Sequence, residues 1–90
     1  MRFKLGQCVA TRNAVELMER QDINPLHLLL RHANGDDGDL SESDKVLNAA
    51  AITGGNDRVF SAYVMPSGDK LWVITEWDRS VTTVLLPEDY

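Results

Sequence analysis

The chain has 90 residues, of which 43 % are hydrophobic and 26 % are charged, and it carries a net charge of −5. A chain this short buries only about 60 to 65 % of its unfolded surface, which excludes a second core and predicts a single domain over residues 1–90. The acidic balance disfavours direct nucleic-acid binding, and no apolar run approaches the roughly 18 residues of a membrane span, so no membrane partner is expected.

Residues 2–10 alternate weakly between apolar and polar side chains, which is compatible with a short strand added to one edge of a sheet. The segment contains Cys8, the only cysteine, so the chain cannot form an internal disulfide and a cytoplasmic location is expected. A first helix is predicted to follow, with Thr11 or Asn13 as its N-cap and its end near residues 21–23.

Two further helices are predicted before residue 56. Asn24 and Pro25 favour a helix start, because Asn can cap while Pro is tolerated at the first helical position, and residues 34–35 (Asn-Gly) end this second helix. Ser41 caps a third helix that residues 54–55 (Gly-Gly) close. The apolar positions expected to form the buried face of this third helix are Val46, Leu47, Ala50, Ala51 and Ile52.

From residue 58 onward the hydrophobic period changes to two. Segments 58–65, 70–77 and 80–86 are separated by turn sequences centred on residues 67–68 and 78–79, which predicts a three-stranded antiparallel meander. The fold class expected is α+β, with three helices packed on one face of this meander.

The two turns assign the side chains of the meander to faces. With loops of two or four residues, Tyr63 lies opposite Trp72 and Ile74 lies opposite Thr83. The face expected to form the core contains Phe60, Ala62, Val64, Leu71, Val73, Thr75, Thr82, Val84 and Leu86. The other face has an apolar centre, predicted to contact a partner protein unless the N-terminal strand or a helix covers it, and formed by Tyr63, Trp72, Ile74 and Leu85.

The charged residues of the second turn have two main interpretations: they form only the turn, or they belong to a binding site. The turn is favoured for Asp78 and Arg79, and under either interpretation Arg79→Ala is expected to leave stability nearly unchanged. The alternative is that Trp77 and Arg79 project as anchors of a protein interface, since hot spots are enriched in Trp and Arg. A third, remote alternative is a small toxin-like ribonuclease using Arg79 and Tyr90, although no basic cleft is visible.

The negative charge is concentrated in an acidic loop and the helix start after it, at Asp36, Asp37, Asp39, Glu42 and Asp44. The remaining acids balance the 9 bases, so these five residues account for the net charge of −5. Acids at a helix start are stabilised by the helix dipole, which already explains part of the cluster. Mimicry of DNA is the functional alternative, although it needs negative charge spread over a longer face.

No cofactor, metal site or catalytic residue is expected. His27 and His32 are five residues apart on one helix, about 140° around it, so they do not face one metal ion as an i, i+4 pair would. The acidic loop lacks the glycine and the final glutamate of a calcium-binding loop. Neither a nucleophile elbow nor a phosphate-cradling glycine loop is present.

Three stretches resemble a family of short bacterial proteins. They are LGQ.VAT at residues 5–11, RHANGDDGDL at residues 31–40 and W.ITE.DRSVTT.LLP at residues 72–87. Genes of this family tend to occur on plasmids, prophages and integrative elements, and their products are labelled plasmid-related protein or type I restriction endonuclease subunit M. Ninety residues cannot contain the S-adenosylmethionine domain of such a subunit, so the resemblance implies a mobile-element setting rather than methyl transfer.

These observations lead to one expectation about function. A small acidic protein of a mobile element is expected to act as a non-enzymatic protein-binding module, with a host or element protein as its partner. Blocking a host defence complex is a special case, and a DNA mimic that inhibits restriction or CRISPR machinery is the alternative. A homodimer is also compatible with an exposed apolar sheet face.

Overall fold

The computed structural model describes residues 1–90 and has three helices and one four-stranded sheet, which confirms the α+β class. None of the helices combines the length and apolar character needed to cross a membrane. The elements in chain order are β1 (Gln7–Ala10), α1 (Arg12–Arg20), α2 (Pro25–Ala33), α3 (Glu42–Gly54), β2 (Val59–Val64), β3 (Lys70–Thr75), β4 (Val81–Leu85) and a final 3-10 turn (Pro87–Asp89).

The helix starts follow the capping residues that the sequence contains. Thr11, Asn24 and Ser41 each precede a helix in extended conformation, and each side chain accepts a hydrogen bond from a backbone N–H two or three residues later. Pro25 occupies the first turn of α2, where its missing N–H has no helical partner to lose. All three predicted helices are therefore confirmed.

The sheet has the strand order β1-β4-β3-β2. Strands β2, β3 and β4 form the predicted antiparallel meander, and β1 adds to it parallel to β4. The N-terminal segment thus supplies an edge strand, and the sheet is mixed rather than purely antiparallel.

The register between β3 and β4 is the predicted one, with Ile74 opposite Thr83. The register between β2 and β3 is not, because Tyr63 pairs with Leu71 instead of Trp72. The connection is residues 65–69, in which the Met65 N–H donates to the Asp69 carbonyl at 2.8 Å and Gly68 has φ 91°. This odd-numbered loop with a glycine bulge replaces the even loop that was assumed, and such a change moves every β2 side chain to the other face.

The core lies between the sheet and helices α1 and α2. We call the sheet face that contacts these two helices the inner face, and the opposite one the outer face. The main cluster of buried apolar side chains contains Ala14, Leu17, Met18, Leu28, Tyr63, Met65, Leu71, Val73 and Val84. No α3 residue belongs to it, so the prediction that all three helices cover one face is wrong.

Helix α3 lies along the edge of the sheet beside β2. Its buried residues are Asn48 and Ala51, and the side-chain oxygen of Asn48 accepts the Phe60 N–H at 2.7 Å. Val46 and Leu47 were expected to be buried, but they are 70 % and 69 % exposed. The helix turns a polar residue towards the sheet because the backbone of an edge strand needs hydrogen-bonding partners more than apolar cover.

Candidate functional site

The outer face of the sheet differs from the predicted contact surface in one strand. Tyr63 was expected there beside Trp72, but it lies on the inner face and is buried. Phe60, Ala62 and Val64, which were predicted to face the core, occupy the outer face instead, because of the odd β2–β3 loop.

The other predicted contact residues do lie on the outer face, with unequal exposure. Ile74 pairs with Phe60, and Leu85 pairs with Trp72, so each aliphatic side chain has a larger aromatic neighbour across the strands. Ile74 and Leu85 are buried, whereas Phe60 and Trp72 are half-buried. Of the four residues predicted to form the apolar centre, only Trp72 is therefore available to a partner.

The aromatic side chains of the outer face form one cluster with the C-terminal residue. The Trp72 ring makes edge contacts with Phe60 at 5.0 Å and with Tyr90 at 5.8 Å between ring centroids. Arg58 donates to the Tyr90 hydroxyl at 2.8 Å and to the Glu76 carboxylate at 3.2 Å. These contacts hold the aromatic rings in place at the surface, as suits a preorganised binding site.

A groove of about 460 Å³ opens between this cluster and α3. Phe60 and Arg58 form its sheet side, and the exposed Leu47 lies on its helix side. Its lining residues are Leu40, Asp44, Leu47, Asn48, Ala50, Ala51, Asp57, Arg58 and Phe60. An apolar groove with two acids and one arginine among its polar groups suits an apolar side chain of a partner segment that carries polar neighbours.

The acidic loop closes the free edge of β2. Both backbone groups of Ala62 are used, since its N–H donates to the Asp37 carbonyl at 3.2 Å and its carbonyl accepts the Asp39 N–H at 2.7 Å. The Asp39 carboxylate also accepts the Val64 N–H at 2.9 Å. Asn48 completes the edge by accepting from Phe60, as described above. Residues 37, 39 and 48 thus bind every outward N–H group of β2, a usual way to protect an edge strand.

Asp36 anchors the acidic loop to α2 and the sheet. Its carboxylate accepts from Arg31 at 2.7 Å, and this hydrogen bond is the main reason that the pKa of Asp36 is lowered. Its carbonyl accepts the Tyr63 hydroxyl at 2.5 Å, while burial raises the pKa of that phenol to about 12. The acids at positions 36, 37 and 39 therefore have structural partners, and no observation favours DNA mimicry over a protein-binding surface.

The turn between β3 and β4 contains the other two predicted anchors. Trp77 is 62 % exposed and remains available to a partner. The Arg79 guanidinium instead bonds to backbone carbonyls within the molecule, at 2.5 Å to Asp57 and 3.0 Å to Ala51. It also contacts the carbonyls of Glu76 and Trp77 at 3.3 Å, so it connects the turn to the end of α3.

Arg79→Ala is therefore expected to destabilise the protein, contrary to the expectation from sequence. Loss of several carbonyl partners at a half-exposed site predicts a decrease of about 1 to 3 kcal/mol in the free energy of unfolding. Urea denaturation measures this change, with Arg12→Ala as the control, because Arg12 is exposed and makes no ion pair. A loss for Arg79→Ala no larger than that for the control would contradict this role.

A chain of buried hydrogen bonds crosses the inner face. His32 Nδ1 lies 2.6 Å from Ser61 Oγ, and His32 Nε2 lies 2.8 Å from Thr75 Oγ1. Thr75 Oγ1 lies 2.6 Å from Thr82 Oγ1, and the Thr82 hydroxyl donates to the Leu5 carbonyl at 2.7 Å. Because each hydroxyl has one proton, Thr75 donates to Thr82, His32 donates through Nε2–H, and Ser61 donates to Nδ1.

This chain of hydrogen bonds brings a serine and a histidine together, and no motif in the sequence predicts that contact. His32 and Ser61 are both buried, so in this conformation the serine hydroxyl cannot reach a substrate. The third partner is a threonine rather than the carboxylate that would stabilise a protonated imidazole. Burial lowers the pKa of His32 to about 4, as expected of a neutral histidine that satisfies core polar groups.

The remaining candidate residues from the sequence are His27, Arg79 and Tyr90. His27 is exposed on α2 and separate from the His32 chain, and no three His, Cys, Asp or Glu side chains group together as metal ligands. Tyr90 bonds to Arg58, while Arg79 bonds to carbonyls. No family model, curated protein or solved structure matches this chain.

Proposed function

We propose that this protein is a small non-enzymatic module that binds a partner protein through the groove between α3 and the outer face of the sheet. The observation that supports it most directly is the pairing of an exposed Leu47 with the aromatic floor at Phe60. We call the surface formed by Leu47 and Phe60 of this groove, together with the adjoining rings of Trp72 and Tyr90, the aromatic groove.

The composition of the aromatic groove supports a binding role. Leu47 and Tyr90 are 69 % and 70 % exposed, and Trp72 lies between Phe60 and Tyr90. Exposed apolar residues that lie together with Trp, Tyr and Arg are typical of protein interfaces, whereas scattered ones are ordinary. Arg58, fixed by Glu76 and Tyr90, supplies a polar group at the margin of the groove.

The resemblance to mobile-element proteins supports a particular class of partner. In that setting we propose a host or element protein as the partner, with inhibition of a host defence complex as a special case. A contact dominated by aromatic burial should persist at high salt, whereas binding by charge mimicry should weaken steeply. Measuring the complex at low and high salt therefore separates this proposal from the DNA-mimic alternative.

A photoreactive amino acid at position 47 is expected to crosslink the partner in host cells. The same replacement at Leu26 is a matched control, because Leu26 is 58 % exposed but lies on α2, away from the groove. We expect a defined crosslinked species from position 47 that is absent from position 26. A Trp72→Asp change that leaves the circular dichroism spectrum unchanged should abolish it.

Two results would contradict the proposal. One is the same crosslinked species from positions 47 and 26, which would indicate nonspecific contact. The other is a crosslink from position 47 that persists in folded Trp72→Asp protein, since the aromatic groove would then not be the binding determinant. A crosslink between two copies of this chain would identify a homodimer, with the same surface as its interface.

A further inference from the structure

One edge of the sheet is covered by other residues of the chain, and the other edge is exposed. The β2 edge is occupied by the acidic loop and Asn48, so none of its outward N–H groups at Phe60, Ala62 and Val64 is free. The other edge is β1, and all four of its residues are exposed. A strand edge without cover is a template for pairing with another extended chain.

The hydrogen bonds of β1 show which of its backbone groups are free. Gln7 and Thr11 donate their N–H groups to the carbonyls of Ser80 and Val84, each at 3.0 Å. Because successive residues of a strand direct their backbone groups to opposite sides, Cys8 and Ala10 direct their N–H and C=O groups away from β4. Cys8 and Ala10 can therefore each offer one N–H donor and one C=O acceptor to an added strand.

The sequence around this edge lacks the residues that usually block pairing. Residues 5–10 contain no proline, lysine or acid. Lys4 and Arg12 flank the strand, and both are exposed and outside the two ion pairs of the molecule. The first 15 residues contain three bases and no acid, whereas all 14 acids follow from Glu16 onward. The N-terminal segment that contains the open edge is thus the basic part of the sequence, although the Asp89 carboxylate lies beside its end, where it accepts from Thr11 and Asn13.

An apolar groove of about 500 Å³ begins beside the end of this strand. The Ala10 side chain faces the inner side with Val84, and the groove continues from it to α1 and the start of α2. Its lining residues are Ala10, Val15, Met18, Glu19, Asp22, Ile23 and Pro25. A residue added opposite Ala10 would point its side chain towards this groove, whose apolar members are Val15, Met18 and Ile23 and whose acids are Glu19 and Asp22. An uncharged apolar residue therefore suits this position.

We propose that β1 binds an extended segment of a partner protein by strand addition, and that this segment has acidic residues on both sides of a central apolar residue. The acids would pair with Lys4 and Arg12, and the backbone would bond to Cys8 and Ala10. A second copy of this chain fits less well, because antiparallel pairing of two β1 strands brings Lys4 of one copy towards Arg12 of the other. This site is separate from the aromatic groove and does not depend on it.

The test uses the full protein, the acetylated peptide EDVTLTDE and its charge-reversed counterpart KKVTLTKK. In nuclear magnetic resonance titrations we expect the acidic peptide to shift the Cys8 and Ala10 amide signals most strongly and to slow their hydrogen exchange. The basic peptide should bind at least about tenfold more weakly. The double variant Lys4→Glu, Arg12→Glu should reverse this preference.

Ala10→Pro provides a backbone test, because it removes an outward N–H but no bond to β4, and proline is tolerated on that side of an edge strand. We expect a folded protein with at least about tenfold weaker peptide binding.

Three results would overturn the proposal: no amide shift at about 1 mM acidic peptide, equal binding of both peptides, or a dimer in which Cys8 and Ala10 are protected without peptide. The crosslink at position 47 is unaffected by any of these, so failures of the two proposals are distinguishable.

Discussion

Replacing Gly6 by alanine is expected to lower the free energy of unfolding by more than about 3 kcal/mol. Gly6 has φ 64°, and a Cβ at this position would lie 2.3 Å from the Ser80 carbonyl oxygen and 2.5 Å from the Arg79 carbonyl oxygen. Both are backbone atoms of the turn into β4, so no side-chain rotation can relieve the contact. Urea denaturation at neutral pH measures the loss.

Gly54→Ala is the matched control for this experiment. Gly54 is the last residue of α3, and a Cβ there meets no atom within 4 Å. Alanine is the better helix former, so this change should be neutral or stabilise by up to about 1 kcal/mol. A loss below about 1 kcal/mol for Gly6→Ala would mean that the start of β1 does not lie against the turn as described.

The second large effect is a fall in stability on mild acidification, caused by His32. The pKa of His32 is about 4 in the folded protein and 6.5 in the reference state, so below pH 6.5 the unfolded chain binds a proton that the folded protein does not. The free energy of unfolding should therefore fall as the pH decreases from about 6.5 to about 4, by about 3 kcal/mol in total. Urea denaturation across this range measures the loss.

Two histidines on one helix allow an internal control. His27→Gln should keep the full decrease, because His27 is exposed and makes no side-chain hydrogen bond, whereas His32→Gln should lower stability at pH 7 and remove most of the decrease. Nuclear magnetic resonance of the wild type should show a neutral His32 with its proton on Nε2 at pH 6. Titration of His32 near pH 6.5 would disprove the buried hydrogen-bond chain. Asp36 and Asp69 also have lowered pKa values, but their protonation reduces stability only at more acidic pH.

The elements that the sequence predicted correctly are those with local signals. Thr11, Asn24 and Ser41 cap helices through contacts within three residues, and the Asp78-Arg79 turn lies between strands of clear period two. Such contacts depend on neighbours in the chain and are readable from it. The edge strand at residues 7–10 was also anticipated, although its parallel pairing with β4 is a long-range contact with no local signal.

The candidate site was less predictable, because the length of one loop determines which β2 side chains lie on the outer face. An even or an odd number of residues in the β2–β3 connection gives the same alternation along β2, yet it exchanges Phe60 and Tyr63 between the two faces. The position of α3 was likewise unpredictable, since Leu47 looks like a core residue until Asn48 is known to bond to the β2 backbone. The role of the acidic loop depends on the same long-range edge contacts.

Closure of the β2 edge by residues 37–39 also sets a limit on assembly. A sheet with two open edges can add a strand at each edge and grow into a fibre. This sheet can add a strand only at the β1 edge. Any complex formed by strand addition should therefore stop at one added segment per molecule, with fixed stoichiometry at any concentration. Removal of the loop would convert a terminating unit into one that can polymerise.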